Sequence, residues 1–515
     1  MELTGVFSVA LFIAVSAVVM SYAWGMRGTN LGGEKSAMLP GAIMGTILAV
    51  CSGSPFLLKN AYLMSAVGAL GMFFGGHISY MQSVGLCLNK FPPEDIKRGM
   101  TGLFIKGGVW YGVFGAVAGM FLSFMTGQYY NNPRTVLLLF GLMPIAVLIG
   151  EQIFDRPFDA KKGIHPKLYF SVNRPDGIGV LIGVLAELIV FMVVCKDWAS
   201  LVLMAGSLLS GGIGFCLAVQ LTRRSMYPNK RGWIFLEKAS KKGIVDKVCE
   251  FSFGGMAGIG IAVTFLLSMR VFPDRAASIV GISELPKLAR DTALLWILPV
   301  VYTALMAIIQ LTPRFLKRPP TKEELDYALS RGWMCKAEHA FAMRGAGDVP
   351  SKGWLLYETI FEKLERPVYC ILPLCLMFLG SARTAALVSL YFMYIVLAEQ
   401  NIFVRFSAFK SIRLWRVGML GLGAFLLLAI FFWGLAPGLL PLTLLYGAFY
   451  EAITLVGHIA LRSPDRGSLL VKDVGWVKSF GCKLTTHAWF LASIAAATAL
   501  AAWLTLEKGL EVWIK

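Results

Sequence analysis

GIGVLIGVLAELIVFMVVC, residues 177–195, decides the fold class. Apart from Glu187, every residue in it is apolar or glycine. A helix rises about 1.5 Å per residue, so a run of this length reaches across most of the roughly 30 Å hydrocarbon core of a bilayer. Lipid offers no partner to backbone N–H and C=O groups. Only helices or closed barrels satisfy all of them internally. The run is too long and too uniformly apolar for a barrel strand.

Outward from this stretch the pattern repeats in both directions. The sequence predicts an all-α, polytopic transmembrane bundle of about fourteen spans with short amphipathic cytoplasmic helices. The expected spans are 4–24, 36–57, 61–80, 100–125, 134–153, 176–195, 198–221, 248–269, 291–311, 367–381, 384–403, 416–434, 437–455 and 485–504. Residues 1–311 would hold the first nine, residues 312–366 a cytoplasmic loop, and residues 367–515 the last five. The tenth is short and contains Pro373, so the tenth and eleventh together fit a tight helical hairpin or a re-entrant element. The first stretch reads as a span rather than a cleaved signal, because it lacks a basic start and a small-residue cleavage pattern.

Charge orients this bundle. Of the 48 Lys and Arg, 37 fall in the loops of one side, ten fall on the other, and Lys106 lies within a span. The richer side of every pair of successive loops is the same one, and by the positive-inside rule it is cytoplasmic. Both termini are then expected outside, in the plasma (inner) membrane. The net charge of +18 is accounted for by topology, so nucleic acid is not an expected partner. Cys51, Cys87, Cys195, Cys216, Cys249, Cys335, Cys370, Cys375 and Cys482 are scattered without CxxC or Cys/His spacing, which points away from disulfides and zinc.

Within the longest cytoplasmic loop, Thr321-Lys322-Glu323-Glu324 is a capping-box pattern opening a short helix. Trp354, Leu355, Tyr357, Ile360, Phe361 and Leu364 form an amphipathic stripe suited to the membrane interface, and Trp233, Ile234 and Phe235 among lysines and arginines repeat the idea.

The densest polar segment runs from Trp24 to Ser36 and contains Arg27, Asn30, Glu34 and Lys35 among Gly25, Gly28, Gly32 and Gly33. Such a turn makes a backbone nest with fixed charges, suited to an anion or polar solute. It is not a nucleotide P-loop, since Glu34 stands where lysine belongs and no strand precedes it. Glycines four apart recur at Gly41/Gly45, Gly71/Gly75, Gly108/Gly112, Gly115/Gly119, Gly179/Gly183 and Gly254/Gly258. Small residues at this spacing let helices approach closely.

Ionisable residues inside spans are expensive and therefore mark function. His77, Lys106, Glu151, Glu250, Glu399 and Glu451 fall in the cytoplasmic third of their spans, and Glu187 falls near the midplane. We therefore take Arg27, Asn30, Glu34, Lys35, His77, Lys106, Glu151, Glu250 and Glu399 as candidate substrate-binding residues and Glu187 as the candidate ion-coupling residue. His77 and His458 lack any metal-site spacing, no metal is expected, and no motif names a cofactor.

The chain resembles transporters in general architecture. The expectation is a transporter of a small polar, including anionic, solute, with coupling to H⁺ or Na⁺. The alternative is a membrane-embedded enzyme acting on a lipid-linked or amphipathic substrate at the cytoplasmic face, with Arg27, Lys35 and Lys106 holding a phosphate.

Overall fold

The computed structural model describes residues 6–29, 37–88, 92–159, 162–171, 175–226, 245–288 and 370–382, with isolated positions between 301 and 388. Every regular element among them is helical. In chain order these are α1 (Val6–Thr29), α2 (Met38–Val50), α3 (Pro55–Lys59), α4 (Ala61–Phe73), α5 (Tyr80–Leu88), α6 (Pro93–Met125) and α7 (Pro133–Gly150). They continue with α8 (Ile178–Val194), α9 (Trp198–Met226), α10 (Val245–Val271), α11 (Pro273–Val280) and α12 (Leu372–Phe378).

Four segments are long and apolar enough to cross a membrane: Pro93–Met125, Pro133–Asp155, Trp198–Arg223 and Cys249–Val271. They agree with the expected spans at 100–125, 134–153, 198–221 and 248–269. Several carry exposed apolar faces. On α7 the exposed residues include Leu137, Leu138, Leu142, Ile145, Leu148 and Ile149. A continuous apolar stripe of this kind is a liability in water and compatible with lipid. The expected spans 291–311, 384–403, 416–434, 437–455 and 485–504 lie outside the described residues apart from isolated positions, as do the stripes at 233–235 and 354–364.

The helices pair through their glycines. α2 packs on α4, α7 on α8, α1 on α10, and α9 on both α6 and α10. A Cβ on Gly45 would lie 2.0 Å from the Met64 carbonyl, and one on Gly254 would lie 2.3 Å from the Met20 carbonyl. At the α7–α8 crossing, a Cβ on Gly183 would lie 2.1 Å from the Ala146 carbonyl. These distances leave no room for any side chain, so the backbones are in direct contact. Gly183→Val is expected to force α7 and α8 apart and cost about 1–3 kcal/mol. Gly141→Ala, with nothing within 4 Å of the new Cβ, is expected to be neutral or slightly stabilising. Thermal midpoints of the two variants in detergent check the contrast.

Three expectations are corrected. The expected spans 36–57 and 61–80 are broken: α2 and α4 have 13 residues each, about 20 Å, and a polar elbow with α3 joins them. Ser54 caps α3 by accepting the Leu57 N–H, with Pro55 at its first position. The expected loop 81–99 contains helix α5 and the first turns of α6, which starts at Pro93 and runs 33 residues. The segment from Trp24 is helical through Thr29 rather than a turn, and Gly25 leaves room there for the Phe251 ring, which a Cβ would meet at 2.2 Å.

The short tenth element is the seven-residue α12. Its Phe378 ring sits 5.2–5.4 Å from the rings of Phe121, Phe124 and Phe140. In the 312–366 loop, the Leu325 N–H donates to the Thr321 carbonyl at 3.1 Å, which is the first turn the capping box predicts.

Candidate functional site

Between α4 and α5 the chain leaves helical geometry while remaining inside the protein. Phe74–His77 form a 3₁₀ turn, Ile78 is extended, and Ile78 and Ser79 are buried. Interrupted helices expose backbone polar groups that need partners. The Ser79 N–H donates to the Asp176 carbonyl at 3.1 Å, and its hydroxyl donates to the Pro175 carbonyl at 2.9 Å. The Ser79 carbonyl accepts from Lys106 Nζ at 3.0 Å.

Lys106 therefore sits at the centre of a buried polar node. Its ammonium pairs with Asp176, and both side chains are fully buried. It also donates to Ser83 Oγ at 2.8 Å and Ser171 Oγ at 3.4 Å. Asp176 in turn accepts the Phe170 N–H at 2.5 Å and the Ser171 hydroxyl. A buried charge without partners is costly, and here each has several. The node ties the segment before α8 to α5 and α6.

One turn along α6 from Lys106 lies Trp110, the first wall of an aromatic box. Trp24 from α1, Tyr80 from α5, Trp110 and Tyr111 from α6, Phe215 from α9 and Phe253 from α10 converge there. Phe215 and Phe253 stack with centroids 3.6 Å apart. Trp24 stands at 70° to Phe253 and 77° to Phe215. Both indole N–H groups are used: Trp24 donates to Tyr111 Oη, and Trp110 donates to the Met72 carbonyl at 2.7 Å. Beside the box is a cleft of about 20 Å³ lined by Trp24, Tyr80, Val84, Phe215, Cys249, Glu250 and Phe253.

Of the residues singled out from sequence, one lines this cleft and two lie near its lining residues along the chain. Glu250 lines the cleft. Arg27 lies in the last turn of α1, beyond Trp24, and His77 ends the turn three residues before Tyr80. Asn30, Glu34, Lys35 and Glu399 lie outside the described residues. Glu151 is elsewhere: it opens a π-helical turn after α7 and pairs with Arg156 at 3.1 Å. Glu187 is also apart from the cleft, on α8. It is 9% exposed, and neither of its oxygens has a hydrogen-bond partner among the described residues. It continues the row Gly179, Gly183 along α8 by one more four-residue step, the row that packs on α7.

A second buried node closes the opposite end of the bundle. Arg275 on α11 donates to the Gly119 carbonyl at 2.8 Å, and to Ser200 Oγ and Ser268 Oγ at 3.3 Å each. Ser200 Oγ and Tyr130 Oη donate to Asp197 at 2.6 and 3.1 Å. Burial pushes the Arg275 guanidinium below its ordinary pKa, and Asp197 and Tyr130 oppose that. Burial and Asp197 raise the Tyr130 phenol.

Sequence reasoning missed Asp176, Asp197 and Arg275. Each lies at or beyond a span end, where charge looks like an ordinary loop residue. Trp24 was missed as a site residue too, although it opens the polar segment that ends at Ser36. Among the described residues, no group of three or more His, Cys, Asp or Glu is arranged to hold a metal ion. No family model matches the chain, and neither curated proteins nor solved structures give a significant match.

Proposed function

We propose that the protein is a membrane transporter for a small polar solute, with its site at the end of the bundle that carries Trp24, Tyr80, Lys106 and Glu250. The observation that carries this reading is the buried helix interruption at residues 74–79, next to a charged node and a cleft. Transporters build sites from broken helices whose freed backbone groups and ends face the solute, and such backbone is tolerated at membrane depth only inside protein or at a cavity. Arg27, His77 and Glu250, together with Asn30, Glu34 and Lys35 in the link from α1 to α2, are the proposed solute contacts. The Lys106–Asp176 pair positions the interruption. Supporting this frame is the alternation of basic loops, from which we propose fourteen spans in the plasma membrane with both termini outside.

Glu187 is the proposed coupling residue. A carboxylate this deep and without a partner among the described residues suits reversible protonation. Uptake into proteoliposomes under imposed H⁺ or Na⁺ gradients tests the proposal. Wild-type protein is expected to accumulate solute against its gradient. Glu187→Gln is expected to lose that accumulation while retaining solute exchange. Wild-type accumulation by Glu187→Gln would remove the coupling assignment.

The cleft's place near one end of the bundle is a feature that an enzyme acting on an amphipathic substrate would share. Lipid extracts from cells with and without the protein separate the two readings. Transport predicts identical lipid species, and an enzyme predicts one species gained or lost.

A further inference from the structure

Resting on the transport reading, we infer that Glu187 is held as a neutral carboxylic acid and that the coupling ion is H⁺ rather than Na⁺. The α7–α8 crossing sets its place. A Cβ on Gly150 would lie 2.1 Å from the Gly179 carbonyl, and one on Gly183 would lie 2.1 Å from the Ala146 carbonyl. As α8 advances by one such step, α7 retreats by one. The next step brings Glu187 level with the turn of α7 that holds Leu142 and Pro144. There Glu187 is 9% exposed, and neither carboxyl oxygen has a hydrogen-bond partner among the described residues.

Among the described residues, no element packed on α8 supplies a countercharge. Those elements are α7, α6, α9 and the π-helical turn Glu151–Asp155. α7 carries Arg134, at its exposed start. α6 carries Lys106, paired with Asp176, and Tyr111, which accepts the Trp24 indole N–H. α9 carries Cys216, whose thiol reaches the Met100 carbonyl at 3.4 Å. The other charges of α6 and α9, Glu94–Arg98 and Arg223–Arg224, sit at their Lys106 ends. In the π turn, Glu151 pairs with Arg156, and Asp155 accepts the Gly179 N–H at 2.9 Å. A carboxylate at Glu187 would be a buried charge without a partner, and such a group takes up a proton instead.

Sodium has no shell of oxygens here. Transporters hold Na⁺ with the carbonyls of unwound helix, whereas α8 is continuous helix from Ile178 to Val194. One carbonyl is released at this level: Pro144 has no N–H, so the Phe140 carbonyl lacks its usual helical donor. A carboxylic acid can donate to such a carbonyl, and a carboxylate cannot.

The test is infrared spectroscopy of the full-length protein in nanodiscs at neutral pH. The difference between wild type and Glu187→Gln is expected to contain one carboxylic acid C=O band, unchanged when Na⁺ replaces K⁺ at constant ionic strength. A second measurement needs no variant and carries the test if Glu187→Gln fails to fold. Dicyclohexylcarbodiimide, an apolar reagent, adds to protonated carboxyl groups. A carboxyl oxygen bonds the carbodiimide carbon, the proton passes to a nitrogen, and the acyl group migrates to nitrogen as a stable N-acylurea. Peptide mass spectrometry is expected to find Glu187 modified at the same rate in Na⁺ as in K⁺. A carboxylate band in place of the acid band, labelling suppressed by Na⁺, or no labelling in either salt would overturn the inference. An acid band without solute accumulation in proteoliposomes would leave the neutral acid standing and remove the transport reading. Accumulation driven by a Na⁺ gradient and not by an H⁺ gradient would do the reverse.

Discussion

Lys106→Met is expected to destabilise the protein by about 3–5 kcal/mol, the cost of leaving a buried carboxylate without its counter-charge. Asp176 is fully buried, and its remaining partners are the Phe170 N–H and the Ser171 hydroxyl. Adding Asp176→Asn removes the stranded charge, so the double variant recovers most of the loss. The recovery separates two roles for the lysine. A lysine that served only the solute would leave stability unchanged on substitution and lower uptake alone. A lysine that holds the 74–79 interruption in place fails first in stability and is rescued by neutralising its partner. The midpoint of heat-induced loss of the monodisperse peak in detergent reads the difference for both single variants and the double.

Arg275→Leu is expected to cost a similar amount, about 3–5 kcal/mol, at the other end of the bundle. The guanidinium gathers the Gly119 carbonyl near the end of α6, Ser200 at the start of α9 and Ser268 at the end of α10. Through Ser200 it balances Asp197, which is 1% exposed. Arg275→Lys keeps the charge and loses the planar fork, so it recovers only part of the loss. The expected order of thermal midpoints is wild type, Arg275→Lys, Arg275→Leu. Equal midpoints for lysine and leucine would mean that the charge contributes nothing there.

The two nodes also explain what the sequence made legible. Apolar runs such as 134–153 and 198–221 reveal themselves through composition, since a span has to be apolar on every lipid-facing side. The α7 face with Leu137, Leu142, Ile145 and Ile149 is of this kind. Glycines four apart were equally legible, and at Gly41/Gly45 and Gly179/Gly183 they mark backbone contact. The helix breaks were not. Cys51-Ser52-Gly53-Ser54 and Gly75-Gly76-His77-Ile78-Ser79 are small or apolar enough to continue a span by composition. What breaks the second is tertiary: the Ser79 backbone bonds to Asp176, on a distant part of the chain.

The candidate site was legible as a layer of charge at one end of the bundle, because span limits alone place Lys106 and Glu250 at similar depth. Its composition was not. Partner identity depends on which helices touch, and Lys106, read as a solute contact, is committed to Asp176. With that charge absorbed, Lys106 holds the interruption at Ser79 in place rather than presenting its ammonium to the cleft.

All of this presumes a bundle that crosses the bilayer with its Trp24–Lys106–Glu250 end in the cytoplasm. Single cysteines on a cysteine-free background probe that orientation, placed at two exposed positions: Gln128, at the Arg275 end, and Lys162, at the Lys106 end. On intact cells, a membrane-impermeant maleimide is expected to label Gln128→Cys at once and Lys162→Cys only after permeabilisation. Labelling of both positions from the same side, or of Lys162→Cys alone in intact cells, would refute the orientation.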